Sequence, residues 1–143
     1  MLPYNDKGVR KEIFIKGIIS NAEINNKKYI NTIYLLSIDN ISIAFLGALS
    51  DIELSKEARE EISEPDILFI PVGEKGVSNV KQSAKLASSL EPKLIIPMDY
   101  DNETLKSFLK ELGEEKAEVV DKLTLKRKDL EGKEGEVIVL KVS

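Results

Sequence analysis

The stretch EPKLIIPMDY at residues 91–100 decides the fold, and EPDILFIPVG at residues 64–73 repeats its pattern. Each has a proline ahead of a short, unbroken apolar run and a second proline that closes it. Apolar runs without polar alternation are typical of strands buried on both faces. Proline marks the limits of such strands because it donates no ladder hydrogen bond. Helical spacing between the two runs predicts a βαβ unit with adjacent parallel strands and a right-handed crossover.

The rest of the chain adds a hairpin before this unit and a helix and short strands after it. Asp39-Asn40 is predicted to be the hairpin turn, since both residue types tolerate the positive φ of a tight turn. Ser55, Ser78 and Asn102 are predicted helix N-caps. The predicted helices cover residues 55–62, 79–90 and 102–112; the predicted outer strands cover residues 11–19, 31–38, 41–46, 117–120, 123–126 and 136–142, with a loop at 20–28.

The composition limits the class of protein. The chain has 143 residues, 42% of them hydrophobic, which predicts one globular domain. Its net charge of −4 argues against nucleic-acid binding by phosphate neutralisation. No apolar run reaches the ~20 residues that span a bilayer, and no signal peptide stands at the N-terminus. We therefore expect a cytoplasmic protein that binds neither nucleic acid nor membranes.

Histidine and cysteine are both missing from the sequence. Histidine is the commonest transition-metal ligand and the commonest general base near neutral pH. A chain with neither residue builds no ordinary zinc site from its own side chains. We accordingly expect no cofactor and no catalytic residue; a non-enzyme is the preferred interpretation, and an enzyme remains the alternative.

The predicted sheet lacks cover on one face. The helices follow successive strands, so right-handed crossovers place them on the same side. Fully burying one large apolar side chain is worth ~1.5–3 kcal/mol, and an exposed patch of several usually marks an interface. We therefore expect a homodimer through the non-helical face, with interface residues Ile67, Phe69, Ile95, Ile33 and Leu35. Alternatively, the N-terminal strands curl over that face and cover it.

Four short motifs carry a family resemblance: NTIY at residues 31–34, ISIAFLGAL at 41–49, IPVG at 70–73 and KLIIPMDY at 93–100. Their order and spacing resemble the C-terminal half of metallo-β-lactamase fold hydrolases, closest to the L-ascorbate-6-phosphate lactonase-like branch. The resemblance runs from about Lys11 to the C-terminus. It implies an α/β fold that is half of the αββα sandwich: one mixed sheet with helices on one face. The N-terminal half of the family, with its His-rich zinc motif, has no counterpart here.

The same resemblance implies that the metal positions are lost. Phe45 and Asp99 stand where the family has ligand histidines, and Ala48 stands where it has a ligand aspartate. The family loop that often carries a histidine matches residues 20–22, which include none. Hydrolysis through zinc-bound hydroxide is therefore not expected of these residues.

Three carboxylates remain candidates for binding a hard cation: Asp51, Asp99 and Asp101 would offer oxygen ligands to Mg²⁺ or Ca²⁺ at the strand ends. The alternative, which we prefer, is that they shape the turns into the following helices. The loop at residues 73–76 could cradle a phosphate, but it lacks Walker spacing and a plain loop is the simpler interpretation. Ser78 beside a lysine is better explained as a helix cap than as a nucleophile.

Three functions remain open. The first is a metal-free, non-catalytic protein that acts by self-association or partner binding. The second is a subunit of a split metal-dependent hydrolase whose partner supplies the zinc-binding half. The third is a small-molecule or phosphate binder that uses the strand ends.

Overall fold

The computed structural model describes residues 12–24, 26–47, 54–73 and 80–141. Its strands form a seven-stranded mixed sheet in the order β1-β2-β3-β4-β5-β7-β6. None of the helices in these ranges is long and apolar enough to cross a membrane. The strands are β1 (Ile13–Ile24), β2 (Lys27–Ile38), β3 (Ile41–Phe45), β4 (Ile67–Gly73), β5 (Leu94–Tyr100), β6 (Glu118–Val120) and β7 (Glu136–Leu140). The helices are α1 (Lys56–Ile62), α2 (Val80–Ser89) and α3 (Asn102–Leu112), and a 3₁₀ turn covers Arg127–Leu130.

The predicted hairpin and βαβ unit are both confirmed. Asp39 and Asn40 have φ values of 50° and 63°, as a tight turn between β2 and β3 requires. The strands β4 and β5 are parallel and adjacent, with Ile67 opposite Leu94. Both strands continue past Pro71 and Pro97, which lie inside them rather than at their ends.

The three helices supply one apolar layer. Ile62 of α1, Ala84 and Ala87 of α2 and Phe108 of α3 share one buried cluster with one face of the sheet. Ser55 caps α1 through its side chain, which accepts from the Ala58 N–H. The fold class predicted from the sequence is therefore confirmed: one mixed sheet with helices on one face.

The loop predicted at residues 20–28 is wrong, because β1 and β2 pair along their whole length. The register runs from Ile13 opposite Ile38 to Ile24 opposite Lys27. Backbone pairing overrides the weak strand propensity of the Asn- and Lys-rich segment. Since β3 pairs with β2 only over Tyr34–Ile38, the outer part of this ribbon extends beyond β3. We call residues 19–24 with 27–32 the finger.

The strand predicted at residues 123–126 is also wrong. Residues 121–131, which we call the strap, connect β6 to β7 along the chain and cross the non-helical face of the sheet. Leu123, Leu125 and Leu130 pack there against a second buried cluster that includes Ile67 and Ile96. These leucines alternate with polar residues as a strand does, but they contact the sheet through side chains rather than extending its ladder. The chain thus covers part of its own second face, and it does so with its C-terminal part rather than its N-terminal strands.

The predicted interface residues divide between the two faces. Ile67 and Phe69 lie on the non-helical face, as expected. Ile33, Leu35 and Ile95 instead lie in the helix-facing cluster, which corrects their assignment. Successive residues of a strand point to opposite faces, and an unbroken apolar run does not reveal which set faces the helices. Ile67 is 6% exposed, so the centre of the sheet is already covered.

The uncovered part of the non-helical face lies on β1, β2 and β3. Strand register places five exposed large apolar side chains there, which we call the apolar strip: Ile15, Ile19, Ile30, Tyr34 and Phe45. They are 37–77% exposed. The lack of cover predicted for the central strands is therefore wrong, because the strap covers them; the exposed apolar surface lies on this flank instead.

Candidate functional site

The carboxyl ends of β3, β4 and β5 form the edge where the resemblance places the reaction centre. Parallel pairing brings Phe45, at the end of β3, opposite Phe69 of β4. One strand further, Asp99 lies near the end of β5 with an exposed side chain and a φ of 49°. The predicted positions Ala48 and Asp51 fall outside the residues that the structure describes. Phe45 and Asp99 thus lie toward the same edge but two strands apart, with Asp99 three residues beyond the position on β5 that is level with Phe45, and the described residues offer no third ligand position there.

Asp101 has a structural role. Its Oδ1 accepts from the Thr104 N–H at 2.8 Å, and its own N–H donates to Thr104 Oγ1 at 2.9 Å. This reciprocal pair is a capping box at the start of α3, so the cap is Asp101 and not the predicted Asn102. The turn interpretation is therefore supported for Asp101, whose carboxylate caps α3.

Phe45 provides packing surface instead of a ligand. Its ring lies 5.6 Å from that of Phe69, between centroids, with the planes tilted by 43°. This distance falls in the range of favourable aromatic pairs. Together with 37% exposure, it gives the strand end an apolar, partly uncovered surface where the resemblance implies an imidazole.

The donor set does not fit the zinc that the resemblance implies. Zinc takes three or four nitrogen, sulfur or oxygen ligands, most often from histidine and cysteine. The sequence contains neither residue type, and Phe45 has no ligand atom. Across the described ranges, no group of three or more Asp or Glu side chains could hold a metal ion. We therefore assign no step of chemistry to a metal held by these residues.

An amide clamp orders the backbone at this same edge. Asn31 Nδ2 donates to the Leu46 carbonyl and to Ser20 Oγ, at 2.9 Å each. Gly47 follows with a φ of 68°, and a β-carbon placed on it would lie 2.6 Å from Asn31 Oδ1. The clamp ties the base of the finger to the end of β3. Sequence reasoning quoted Asn31 and Gly47 as motif residues but did not predict their contact.

Gly47→Ala should test this clamp. We expect a loss of about 2–4 kcal/mol in the free energy of unfolding, from the left-handed backbone and the contact with Asn31. Gly113→Ala is the matched control, because Gly113 has a similar φ of 71° but open space around its β-carbon. It should cost only about 1–2 kcal/mol in urea denaturation. Equal losses for the two variants would show that the Asn31 contact contributes nothing.

A buried carboxylate lies at the opposite edge, where the parallel strands begin. Asp66 Oδ2 accepts from the Ser42 N–H at 2.8 Å and from Arg127 Nη1 at 2.6 Å. Its Oδ1 lies 3.2 Å from Lys93 Nζ. Arg127 also donates to the Asn40 carbonyl at 2.8 Å. Because Arg127 belongs to the strap, these bonds fasten the strap to the sheet.

These contacts set the ionisation of Asp66. Burial raises its pKa, but the Ser42 N–H and the cations of Lys93 and Arg127 lower it by more, so the pKa lies below the ordinary value. The carboxylate is thus charged and paired at neutral pH. Sequence reasoning missed this cluster, because its four members come from distant segments and no spacing links them.

A large, partly open cavity adjoins this cluster rather than the strand-end edge. It encloses about 1190 Å³ and is lined by Asp66, Lys93 and Arg127 together with Glu64, Glu91 and Glu134. Its charges are of mixed sign, and Asp66 is engaged by two cations. These lining groups therefore do not indicate a reaction, and no sequence motif points to this cavity.

Comparison with known proteins agrees with the geometry. A family model described as a β-lactamase superfamily domain matches residues 6–99. A Thermotoga maritima protein described as a Zn-dependent hydrolase of the metallo-β-lactamase superfamily is 30% identical, with a TM-score of 0.68 over 90% of this chain and 64% of that chain. The comparison with curated proteins found no match.

Two further structures share the fold at 15% identity. A metal-dependent hydrolase from Parabacteroides distasonis has a TM-score of 0.58 over 98% of this chain and 64% of its own. Igni18, a metallo hydrolase from Ignicoccus hospitalis, has a TM-score of 0.52 over 90% of this chain and 49% of its own. This chain thus spans less than two thirds of each of these hydrolases. With two thirds of its residues matched by the family model, the chain belongs to the β-lactamase superfamily domain family.

Proposed function

We propose that this protein is a metal-free, non-catalytic member of its family that acts by self-association through the non-helical face of its sheet. The resemblance of its four short motifs to the L-ascorbate-6-phosphate lactonase-like branch supports a relationship to that branch. The single observation that carries the proposal is the apolar strip, which has no cover among the described residues. The lack of cysteine suits a reducing compartment such as the cytoplasm.

The size of the strip supports an interface. A large apolar side chain has a surface of ~200 Å², so five side chains at these exposures present on the order of 600 Å². That is at the upper limit of the largest apolar patch on an ordinary monomer. A two-fold dimer would bury it twice, for a total of ~1,200 Å², which reaches the lower limit of stable interfaces.

Two neighbouring residues of β1 allow a matched test. Ile15 is 64% exposed on the strip, and Phe14 is 63% exposed on the helical side of the same strand. Ile15→Glu should weaken dimerisation at least ~100-fold, because a carboxylate would be buried without a partner. Phe14→Glu should leave it unchanged. Sedimentation equilibrium measures both dissociation constants against the wild-type chain.

The proposal fails on either of two results. A wild-type chain that sediments at the mass of one copy at every concentration excludes self-association. Equal dissociation constants for Ile15→Glu and Phe14→Glu place the interface elsewhere.

A split hydrolase is the second candidate, favoured by the chain spanning 64% of the Thermotoga and Parabacteroides proteins. In that case the apolar strip would receive a different chain that carries the zinc ligands. The two candidates predict different behaviour of the purified chain. Self-association predicts a stable dimer, and adding Zn²⁺ should not change its melting temperature. The split hydrolase predicts a monomer that gains zinc only together with its partner.

A further inference from the structure

We infer that two copies of the chain pack with their strands antiparallel, so that the finger of each copy lies over an apolar groove of the other. This arrangement rests on the proposed self-association and makes it specific. It follows from where the finger and the groove lie on one face.

The groove lies between the strap and the strands β2 to β5 and β7, and the charged Asp121 and Lys122 of the strap also line it. It encloses about 440 Å³ and is lined by Ile38, Ile41, Ile43, Ile67, Leu123 and Leu125, with Asp39 at one end. This volume lies in the range of sites that bury a small organic molecule, so it accommodates more than one apolar side chain. The strap forms one wall, and Leu130 fixes the strap because it is fully buried in the second cluster.

The finger presents matching side chains. Ile19 and Ile30 are 76% and 77% exposed, the highest values among the large apolar residues described. Register places both on the non-helical face, the same face that holds the groove. The finger stands beyond β3, which pairs no further than Tyr34, so it projects past the edge of its own sheet.

The ends of β2 decide the orientation. The finger lies at its beginning, and the turn at Asp39-Asn40, where the groove starts, lies at its end. A two-fold axis perpendicular to the strands and parallel to the sheets reverses one copy end to end. Each finger then reaches the turn end of the other copy, and both grooves are filled. A two-fold axis along the strands would place finger on finger and leave both grooves open.

Such a contact is isologous and closes at two copies. It also stacks sheet on sheet with aligned strands, which is a common packing of two β-layers. The arrangement buries the apolar strip and the groove together, whereas a parallel arrangement buries the strip alone.

The cysteine-free sequence permits a clean cross-linking test. The double variant Ile30→Cys/Ile38→Cys places one thiol on the finger and one at the groove. Eight residues separate them along β2, ~26 Å, so no bridge forms within a chain. In a dimer of the inferred form, disulfide-linked dimers should appear at least about tenfold faster than in the control, because the local thiol concentration is in the millimolar range.

The control is Tyr29→Cys/Ile38→Cys, since Tyr29 is 49% exposed and lies on the opposite side of the finger. Light scattering on the reduced proteins gives the oligomeric state independently. Dimers with fast cross-linking of the first variant only support the inference. Dimers that cross-link equally in both variants overturn the antiparallel arrangement and leave self-association standing. If the reduced proteins are monomers, both the antiparallel arrangement and self-association are overturned, and the groove is then filled by another part of the same chain or by nothing.

Discussion

Replacing Asp66 by alanine is expected to lower the free energy of unfolding by about 2–3 kcal/mol. The substitution leaves Arg127 and Lys93 without the carboxylate they share and the Ser42 N–H without its acceptor. Removing one partner of a fully buried ion pair costs ~3–5 kcal/mol. Here the side chain of Asp66 is 8% exposed but those of the cations are 38% and 50% exposed, so solvent screening reduces the loss. Urea denaturation at neutral pH measures it.

Glu134→Ala is the matched control, because Glu134 lines the same cavity but is exposed. It should change stability by less than about 0.5 kcal/mol. If Asp66→Ala behaves like this control, the carboxylate does not hold the strap to the sheet.

The same residue predicts a dependence on pH. The pKa of Asp66 is lowered in the folded chain, so its stabilising contribution is fully present above the ordinary aspartate value of about 3.9. That contribution is lost as the pH falls through the lower pKa of the folded state. The stability difference between the wild type and Asp66→Asn should therefore shrink in acid and stay constant from pH 5 upward.

Leu130→Ala is expected to cost about 3 kcal/mol, within the ~2–5 kcal/mol found for fully buried leucines. Leu130 is 0% exposed and lies among Ile67, Leu94 and Ile96. Its truncation removes the main apolar attachment of the strap to the sheet. Besides the lost stability, we expect increased binding of a dye that reports exposed apolar surface.

Leu125→Ala is the comparison, because Leu125 lies on the same strap but is only half-buried. Its loss should be about 1 kcal/mol, in proportion to the smaller apolar area it removes from water. A loss for Leu130→Ala no larger than this would mean that the strap adds little to the cover of the central strands.

The sequence predicted those elements whose signal is local. The apolar runs at 67–70 and 94–96, the turn at Asp39-Asn40, the cap at Ser55 and the ending of α3 at Gly113 are all present. Each of these features depends on a few residues adjacent in sequence, so the types of those residues are enough to predict it. The number of helices and the side they take also predicted uncovered central strands, but the strap covers these strands, and the exposed apolar side chains lie on β1 to β3 instead.

The features that failed depend on distant contacts. The alternation of Leu123 and Leu125 with polar residues predicts a strand at residues 123–126, yet these leucines pack across the sheet through their side chains. The prediction of the non-helical face is wrong for Ile33 and Ile95. When a strand has apolar residues on both sides, its sequence does not show which side faces the helices. Asp66, Ser42, Lys93 and Arg127 converge only in three dimensions. At the strand-end edge, the resemblance drew attention to Phe45 and Asp99, but no local pattern predicted the clamp from Asn31.

The strand β2 runs without a break from Lys27 to Ile38, so one continuous segment serves both the core and the finger. Its inner half is anchored by Ile33, which is fully buried, while its outer half pairs with β1 beyond the end of β3 and exposes Ile30. Any partner that seats on the outer half must restrict its motion and so incurs an entropic penalty before it gains affinity. A substitution that makes the inner half of β2 more rigid, without changing the contact surface of the finger, would therefore be enough to increase the affinity of the association.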